Sequence, residues 1–521
     1  MRPVRLAALL ALAWLVAIPT LPAGAQGPLD ADTTEQVRNY VTEAMDELRI
    51  PGAAVVIVGP EGIEFAEGFG TAGPGDVAAT PQTPFQIASL SKQLTAIAVM
   101  QLVDAGDLEL GATVRSYVDW FGAEGSDTAM ITVRDLLAHA SGWTERDGLV
   151  NRAQPGNDPG AIEQNVRRLA ETPLSHPIGQ FEYSNANYDV LGYLVAFVSG
   201  QTFEDYMAEN VFAPLGMSHT HTDEAASRAD GLAQGHYPFF GSPISWEIGF
   251  VRSGLPSAFI ASSAEDLGHV LIAHLNDGAY AGEQVLPTAA MALLRRPLIH
   301  PDAWNGYGWG WWSYPLWDAG TLSDGAGMSQ YDVPVVLEHG GSHTTFAGGM
   351  ALLPEEEIGV VVLLNTDDSA APSRVSQLHT GIAQILLGLS PGVPVSFDEP
   401  IRQYGKHLLA GVAILMALGV AWAAWRIRRW RRDPAVAPSG RRGVLLHLVL
   451  PLALDVGATV FFWWLVLDTV GIGLADYPII VHEAPDAGLA LALIAVLGLG
   501  WGLLRTALTL RVLRRGSPAP A

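Results

Sequence analysis

The chain reads as an α+β protein: an antiparallel sheet flanked by terminal helices, a helical subdomain inserted into it, and C-terminal transmembrane helices. Three observations lead there. Two strand-pair signals lie far apart, AAVVIVG (53–59) with IEFAEGFG (63–70), and FAGGMALLP (346–354) with IGVVVLLN (358–365). The stretch between them, about 90–300, is dominated by helical patterning and long loops. Three apolar runs close the chain, each near the ~20 residues that cross a bilayer.

At the start, Arg2 and Arg5 precede a short apolar run and then Ala23-Gly24-Ala25. That layout predicts a signal peptide over 1–25. There is no cysteine, which excludes a disulfide framework, a thiolate nucleophile, a cysteine metal site and a lipoprotein anchor. Over 33–49, Val37, Tyr40, Val41, Ala44 and Leu48 recur at helical spacing, and Pro51 ends the helix. Pro60-Glu61-Gly62 turns the first hairpin and Glu355–Glu357 the second. A helix over about 373–388 completes a domain spanning 27–390. Pro391 to Pro400 suggests a linker, 391–406.

The apolar runs lie at roughly 407–425, 444–467 and 488–510, making 407–515 a three-helix membrane region. RIRRWRRDPAVAPSGRR separates the first two, and the chain ends RVLRRGSPAPA; the loop between the second and third holds Asp476, Glu483 and Asp486 without Arg or Lys. The positive-inside rule then sets the Arg-rich segments in the cytoplasm and the N-terminal domain on the extracytoplasmic side of the cell membrane. Asp455 is costly inside a span and points to a buried role. Gly498 and Gly502 form a small-residue pair suited to helix packing. Residues 27–400 carry 14 basic against 47 acidic side chains, a net near −33. This argues against nucleic acid or anionic head groups as partners; membrane lipid contacts the C-terminal helices alone.

Only two of the 29 basic residues are lysine, Lys92 and Lys406. Lys92 lies in IASLSKQLTA (87–96), where a loop runs into the helical pattern LSKQLTAIAVMQLV. Ser89 falls at the helix start, where unpaired N–H groups favour developing negative charge. Lys92 is three residues on, on the same face. A lysine buried there without a full counter-charge loses proton affinity and can serve as a base; arginine cannot.

FQIASLSK resembles the SxxK motif of the serine β-lactamase and penicillin-binding protein family, closest to its class C β-lactamase-like branch. Two further motifs follow in the family's order. Tyr183-Ser184-Asn185 in FEYSNANYDVLGYL resembles YxN, and His339-Gly340-Gly341 in EHGGSHTTFAGG stands where many members have KTG, at the start of a strand. ITVRDLLAHASGW (131–143) and PLGM (214–217) match the family's phrasing too. The resemblance covers most of 33–390 and implies a β-lactamase/transpeptidase-like fold. It implies Ser89 as nucleophile, Lys92 and Tyr183 as acid and base, and Asn185, His339 and Gly341 at the substrate. It also implies the backbone N–H groups of Ser89 and Ser342 as the oxyanion hole. Gly341 leaves the strand edge clear for substrate. Histidine at 339, titrating near neutrality, supplies a fixed positive charge less reliably than lysine.

No cofactor and no metal are called for. His219, His221 and Asp223 lie in a loop-like stretch and are not read as ligands, and His139 in LLAHASGW reads as structural. The aromatic run WNGYGWGWWSYPLW (304–317) is expected mainly to pack over the sheet. The combined reading is a membrane-anchored serine hydrolase acting through an acyl-enzyme on peptide, amide or ester substrates, of DD-peptidase, aminopeptidase or esterase type, with cell-wall peptide among them. The alternatives are a membrane-bound β-lactam receptor, disfavoured by short cytoplasmic segments, and an inactive binding module, disfavoured by the intact motif set.

Overall fold

The computed structural model describes residues 29–515 apart from 154–155, 318–332, 368–376, 393–398, 434–435, 439, 471–476, 478–479 and 482–483. The signal-peptide stretch, residues 393–398 of the expected linker, and Asp476 and Glu483 therefore lie outside the described residues.

One antiparallel sheet of eight strands organises the molecule. In chain order these are β1 (Gly52–Gly59), β2 (Gly62–Gly73), β3 (Val77–Ala78), β4 (Gly306–Gly308), β5 (Trp311–Pro315), β6 (Val335–His343), β7 (Phe346–Leu353) and β8 (Ile358–Leu364). Across the sheet the order is β4-β5-β6-β7-β8-β1-β2-β3. The two sequence-distant hairpins meet where β1 pairs with β8, Ala53 opposite Leu364 through Val58 opposite Gly359.

β1 is buried at every residue, because both sheet faces are covered. Its period-2 alternation sends Val55 and Ile57 into a layer with Val37, Val41 and Ile382, from helices α1 (Ala31–Leu48) and α5 (Leu378–Leu386). Val56 and Val58 face the other core, built on α2 (Ser91–Ala105), α3 (Asn185–Ser199) and α4 (Ala264–Leu275). That larger core belongs to the helix-rich insertion. Helices α2 and α3 are buried over most of their lengths, which explains why their sequences are apolar all round rather than striped.

The aromatic run departs from expectation. It does not lie over the sheet; it supplies β4 and β5, the edge of the sheet itself. His339 sits mid-strand in β6, not at its start. The 304–317 stretch is rich in Gly and Trp, so it lacks the β-branched alternation that marks a strand.

Three helices are long and apolar enough to cross a membrane, Tyr404–Arg432, Gly440–Leu465 and Pro485–Val512. The first belongs to a helix that begins at Glu399, within the stretch expected to be linker. Asp455 pairs with Arg505 at 2.7 Å, which gives it the buried partner its position requires. A Cβ on Gly498 would strike Thr459 Oγ1, so the second and third helices touch there. Asp486, in the first turn of the third helix, is fully buried against the hairpin His236–Phe239/Ser242–Ser245. Its carboxylate accepts from the Tyr237 hydroxyl and, at 2.9 Å, from Phe240 N–H. Lys406 Nζ lies 3.8 Å from it and donates to Pro238 O at 3.0 Å. The chain's second lysine thus ties the first apolar helix to the hairpin beside the eight-stranded sheet.

Candidate active site

Ser89 lies in a single 3-10 turn, Ala88–Leu90, that feeds directly into α2. Ala88 before it has φ +48°, a left-handed conformation costing of order 1–3 kcal/mol for a residue with a Cβ. The turn is held from outside: Ile87 N–H donates to Ile260 O at 3.0 Å. Lys92, the second residue of α2 and one turn beyond Ser89, is fully buried. Its Nζ lies 3.0 Å from Ser89 Oγ, 2.7 Å from Asn185 Oδ1 and 2.9 Å from Ser257 O. The Tyr183 hydroxyl donates to Ser89 Oγ at 2.9 Å, and Lys92 Nζ stands 5.0 Å from the centre of the Tyr183 ring. Residues almost a hundred positions apart in sequence thus converge on one oxygen.

The second motif is positioned by His139. The helix Val133–Leu137, opened by a capping box of Thr132 and Asp135, leads to His139 at φ +51°. Its carbonyl accepts from Glu182 N–H at 2.8 Å. Its Nδ1 accepts from Ser184 N–H at 3.2 Å. Its ring lies 4.3 Å from that of Tyr183. Ser184 in turn is the N-cap of α3, so Asn185 occupies the first helical position. Tyr188, Leu191 and Leu194 are fully buried core residues, as their spacing predicts.

Strand β6 brings the third motif past the Ser89 turn. A Cβ on Gly341 would lie 2.5 Å from Ile87 O. Glycine is needed here to let β6 close on the Ser89 turn, a different reason from the clear substrate path expected from sequence. Pairing between β5 and β6 ends at Trp312 opposite Glu338, whereas β6 continues to His343. The β5-side edge of Gly340–Ser342 is therefore not used by that ladder. Ser89, Tyr183, Asn185, Glu145, Leu149, Trp312, Glu338, His339, Gly340 and Ser342 line a common cavity of about 470 Å³. This is room for a small-molecule or short-peptide ligand. The Ser342 hydroxyl is bonded to the Asp367 carboxylate.

His339 is buried, and its pKa is lowered to about 3, first by burial and then by the charge of Lys92. It is uncharged at neutral pH, so the third motif carries no cation. His139 is likewise held well below the ordinary imidazole value by burial first and Lys92 second. Behind Lys92, burial raises Asp189 on α3 to about 7, with Asn165 donating to it at 2.9 Å. His219 and His221 both bond Asp230, at 3.0 and 2.8 Å, and Asp223 caps the helix Glu224–Ala229. Among the described residues no group of three or more His, Asp or Glu side chains is placed to hold a metal.

A family model described as Beta-lactamase matches residues 37–380. The chain belongs to the beta-lactamase family. Members of this family are serine hydrolases. Protein flp of Staphylococcus aureus (strain N315) is 28% identical over 442 residues, 83% of each chain. Penicillin-binding protein 4 of Amycolatopsis lactamdurans is 31% identical over 334 residues, 58% of this chain and 86% of that one. The octameric penicillin-binding protein homologue from Pyrococcus abyssi superposes with TM-score 0.58 at 24% identity, over 71% of this chain and 81% of its own. The D-alanine carboxypeptidase AmpC from Burkholderia cenocepacia gives TM-score 0.54 at 24% identity, over 68% and 99%. These two structures share the β-lactamase/transpeptidase-like fold.

Sequence motifs identify Ser89, Lys92, Tyr183, Asn185, His339, Gly341 and Ser342, and these residues meet in the structure. Glu145 and Leu149 carry no motif; Glu338 stands directly before His339 in the third-motif stretch, and Trp312 lies in the aromatic run.

Proposed function

We propose that this beta-lactamase family member is a membrane-anchored serine hydrolase whose catalytic domain, about 27–390, faces the extracytoplasmic side. It forms an acyl-enzyme on Ser89 with peptide, amide or ester substrates. The observation that carries this reading is the convergence of Lys92 Nζ and Tyr183 Oη on Ser89 Oγ, at 3.0 and 2.9 Å. In the resting arrangement both neighbours donate to Oγ. The reactive form needs one of them to have shed its proton, so that the same short contact takes the proton of the Ser89 hydroxyl. Oγ then bonds to the substrate carbonyl carbon, and the oxygen that gains charge is met by the N–H groups of Ser89 and Ser342. Tyr183 returns the proton to the leaving nitrogen or oxygen as the C–N or C–O bond breaks. Water, entering by the same route, releases the acid and restores Ser89. Asn185 keeps Lys92 in place and meets the substrate. Uncharged His339, with no arginine among the described lining residues, favours aminopeptidase or esterase substrates that do not depend on a bound carboxylate over DD-peptidase substrates, which end in one. The one-sided distribution of arginine around the three apolar helices supports the orientation.

Detergent-solubilised full-length protein treated with a fluorescent fluorophosphonate should label, and Ser89→Ala should abolish labelling while the melting temperature is kept. Labelling that survives in Ser89→Ala and disappears in Ser91→Ala would move the nucleophile. No labelling and no ester turnover in the folded wild type would favour a binding module.

A further inference from the structure

Two buried side chains outside the proposed catalytic trio stand in line with His339, and the order of their protons follows from their neighbours. His139 Nδ1 faces two donors, Ser184 N–H at 3.2 Å and Asn187 Nδ2 at 2.9 Å. The Asn187 amide is oriented by a further bond from Nδ2 to Ser184 O at 3.1 Å. Nδ1 therefore bears the lone pair, and Nε2 bears the hydrogen. That N–H meets Tyr307 Oη at 3.1 Å.

Having accepted it, Tyr307 retains one proton to give. Two acceptors are near, the Tyr188 hydroxyl and His339 Nε2, the latter at 3.4 Å. An imidazole nitrogen is the stronger acceptor of the two. From the other side, His339 Nδ1 meets Gly340 O at 2.7 Å. A carbonyl oxygen only accepts, so Nδ1 carries the hydrogen and Nε2 is bare. The His339 end requires this arrangement, and the His139 end leaves Tyr307 with the proton that meets it.

We propose that Tyr307, oriented by His139, is a positioning residue that holds His339 as the uncharged Nδ1–H tautomer, so that the third-motif corner of the cavity selects against substrates placing a carboxylate there. Glu145 and Glu338 line the same cavity, and their charge acts in the same direction. The selectivity half rests on the hydrolase reading above; the tautomer half does not.

The experiment uses full-length protein in detergent, labelled with ¹⁵N-histidine, with His339 assigned among the 14 histidines by its loss in His339→Gln. The expected wild-type spectrum has one protonated and one bare ring nitrogen for His339, with the hydrogen on Nδ1, unchanged from pH 8 to pH 5. Free imidazole side chains favour Nε2–H, so this pattern does not arise by default. Tyr307→Phe, which removes only the hydroxyl, should abolish the single Nδ1–H signature. It should also lower the ratio of kcat/KM for a neutral ester over its carboxylate-bearing counterpart by about fivefold or more, through KM. A merely structural role would reduce both esters alike and leave the ratio unchanged, which overturns the selectivity. An Nε2–H or charged His339 in the wild type at pH 7 overturns the assignment even if Tyr307→Phe does not fold. A protein inert to every ester, with His339 in the Nδ1–H form, supports the tautomer and overturns the hydrolase reading.

Discussion

Lys92 Nζ donates to Ser89 Oγ, Asn185 Oδ1 and Ser257 O, and the side chain is fully buried. A primary amine fits that tripod and can give up a proton within it. A guanidinium is planar, larger and permanently charged. Lys92→Arg should therefore lose at least ~10² in acylation rate with an activated ester. Overpacking should cost a further 1–3 kcal/mol of stability, roughly. The rate is measured on protein that thermal melting shows to be folded; a folded variant acylating within a few-fold of wild type would remove Lys92 as proton acceptor. The lysine was legible because the chain uses arginine nearly everywhere else. Tyr307 was not, because its meaning depends on His139, 168 residues away, and on tautomers that no spacing encodes. His139 likewise looks like any core histidine until its three partners are seen.

Strand β6 and the turn Ala88–Leu90 meet so closely that Gly341 has no room for a methyl group. In Gly341→Ala either β6 or the nucleophile turn must shift. Displacement of the reacting oxygen by even part of an ångström should cost about 10² in acylation, whereas the melting temperature should fall by only a few degrees. Acylation of Gly341→Ala at the wild-type rate would show that the contact relaxes without moving Ser89. The hairpins forming β1, β2, β7 and β8 were legible because Val, Ile and Leu alternate between two cores. The strands β4 and β5 were not: Gly306, Gly308 and Gly310 break the pattern, and the tryptophans read as a packing layer. The ladder that ends at Trp312 opposite Glu338, leaving β6 open beside the cavity, is a register property and has no local sequence signal.

Across the molecule, burial holds several histidines uncharged: His139, His339 and His274, the last lowered to about 3 by burial first and Arg295 second. For such groups the unfolded chain takes up protons below pH 6.5 that the folded chain refuses. The stability they contribute is complete above that pH and is lost as pH falls toward about 3. His274 packs edge-on to Trp311, with ring centroids 5.6 Å apart, and its ring nitrogens make no hydrogen bond among the described residues. His274→Leu should raise the melting temperature, and its advantage over wild type should widen between pH 7 and pH 5. Parallel melting curves across that range would show that the imidazole is solvated. The buried Asp486 carboxylate has a different kind of consequence. Tyr237, Phe240 N–H and Lys406 gather on it, contacts that would mount the domain on its helices rather than let it swing from them. A swinging domain samples a volume set by its leash. A mounted one keeps its opening at one height and one bearing, so the effective concentration of any surface-fixed target is either high or close to zero. For the proposed hydrolase, reach as much as chemistry would then sort the substrates.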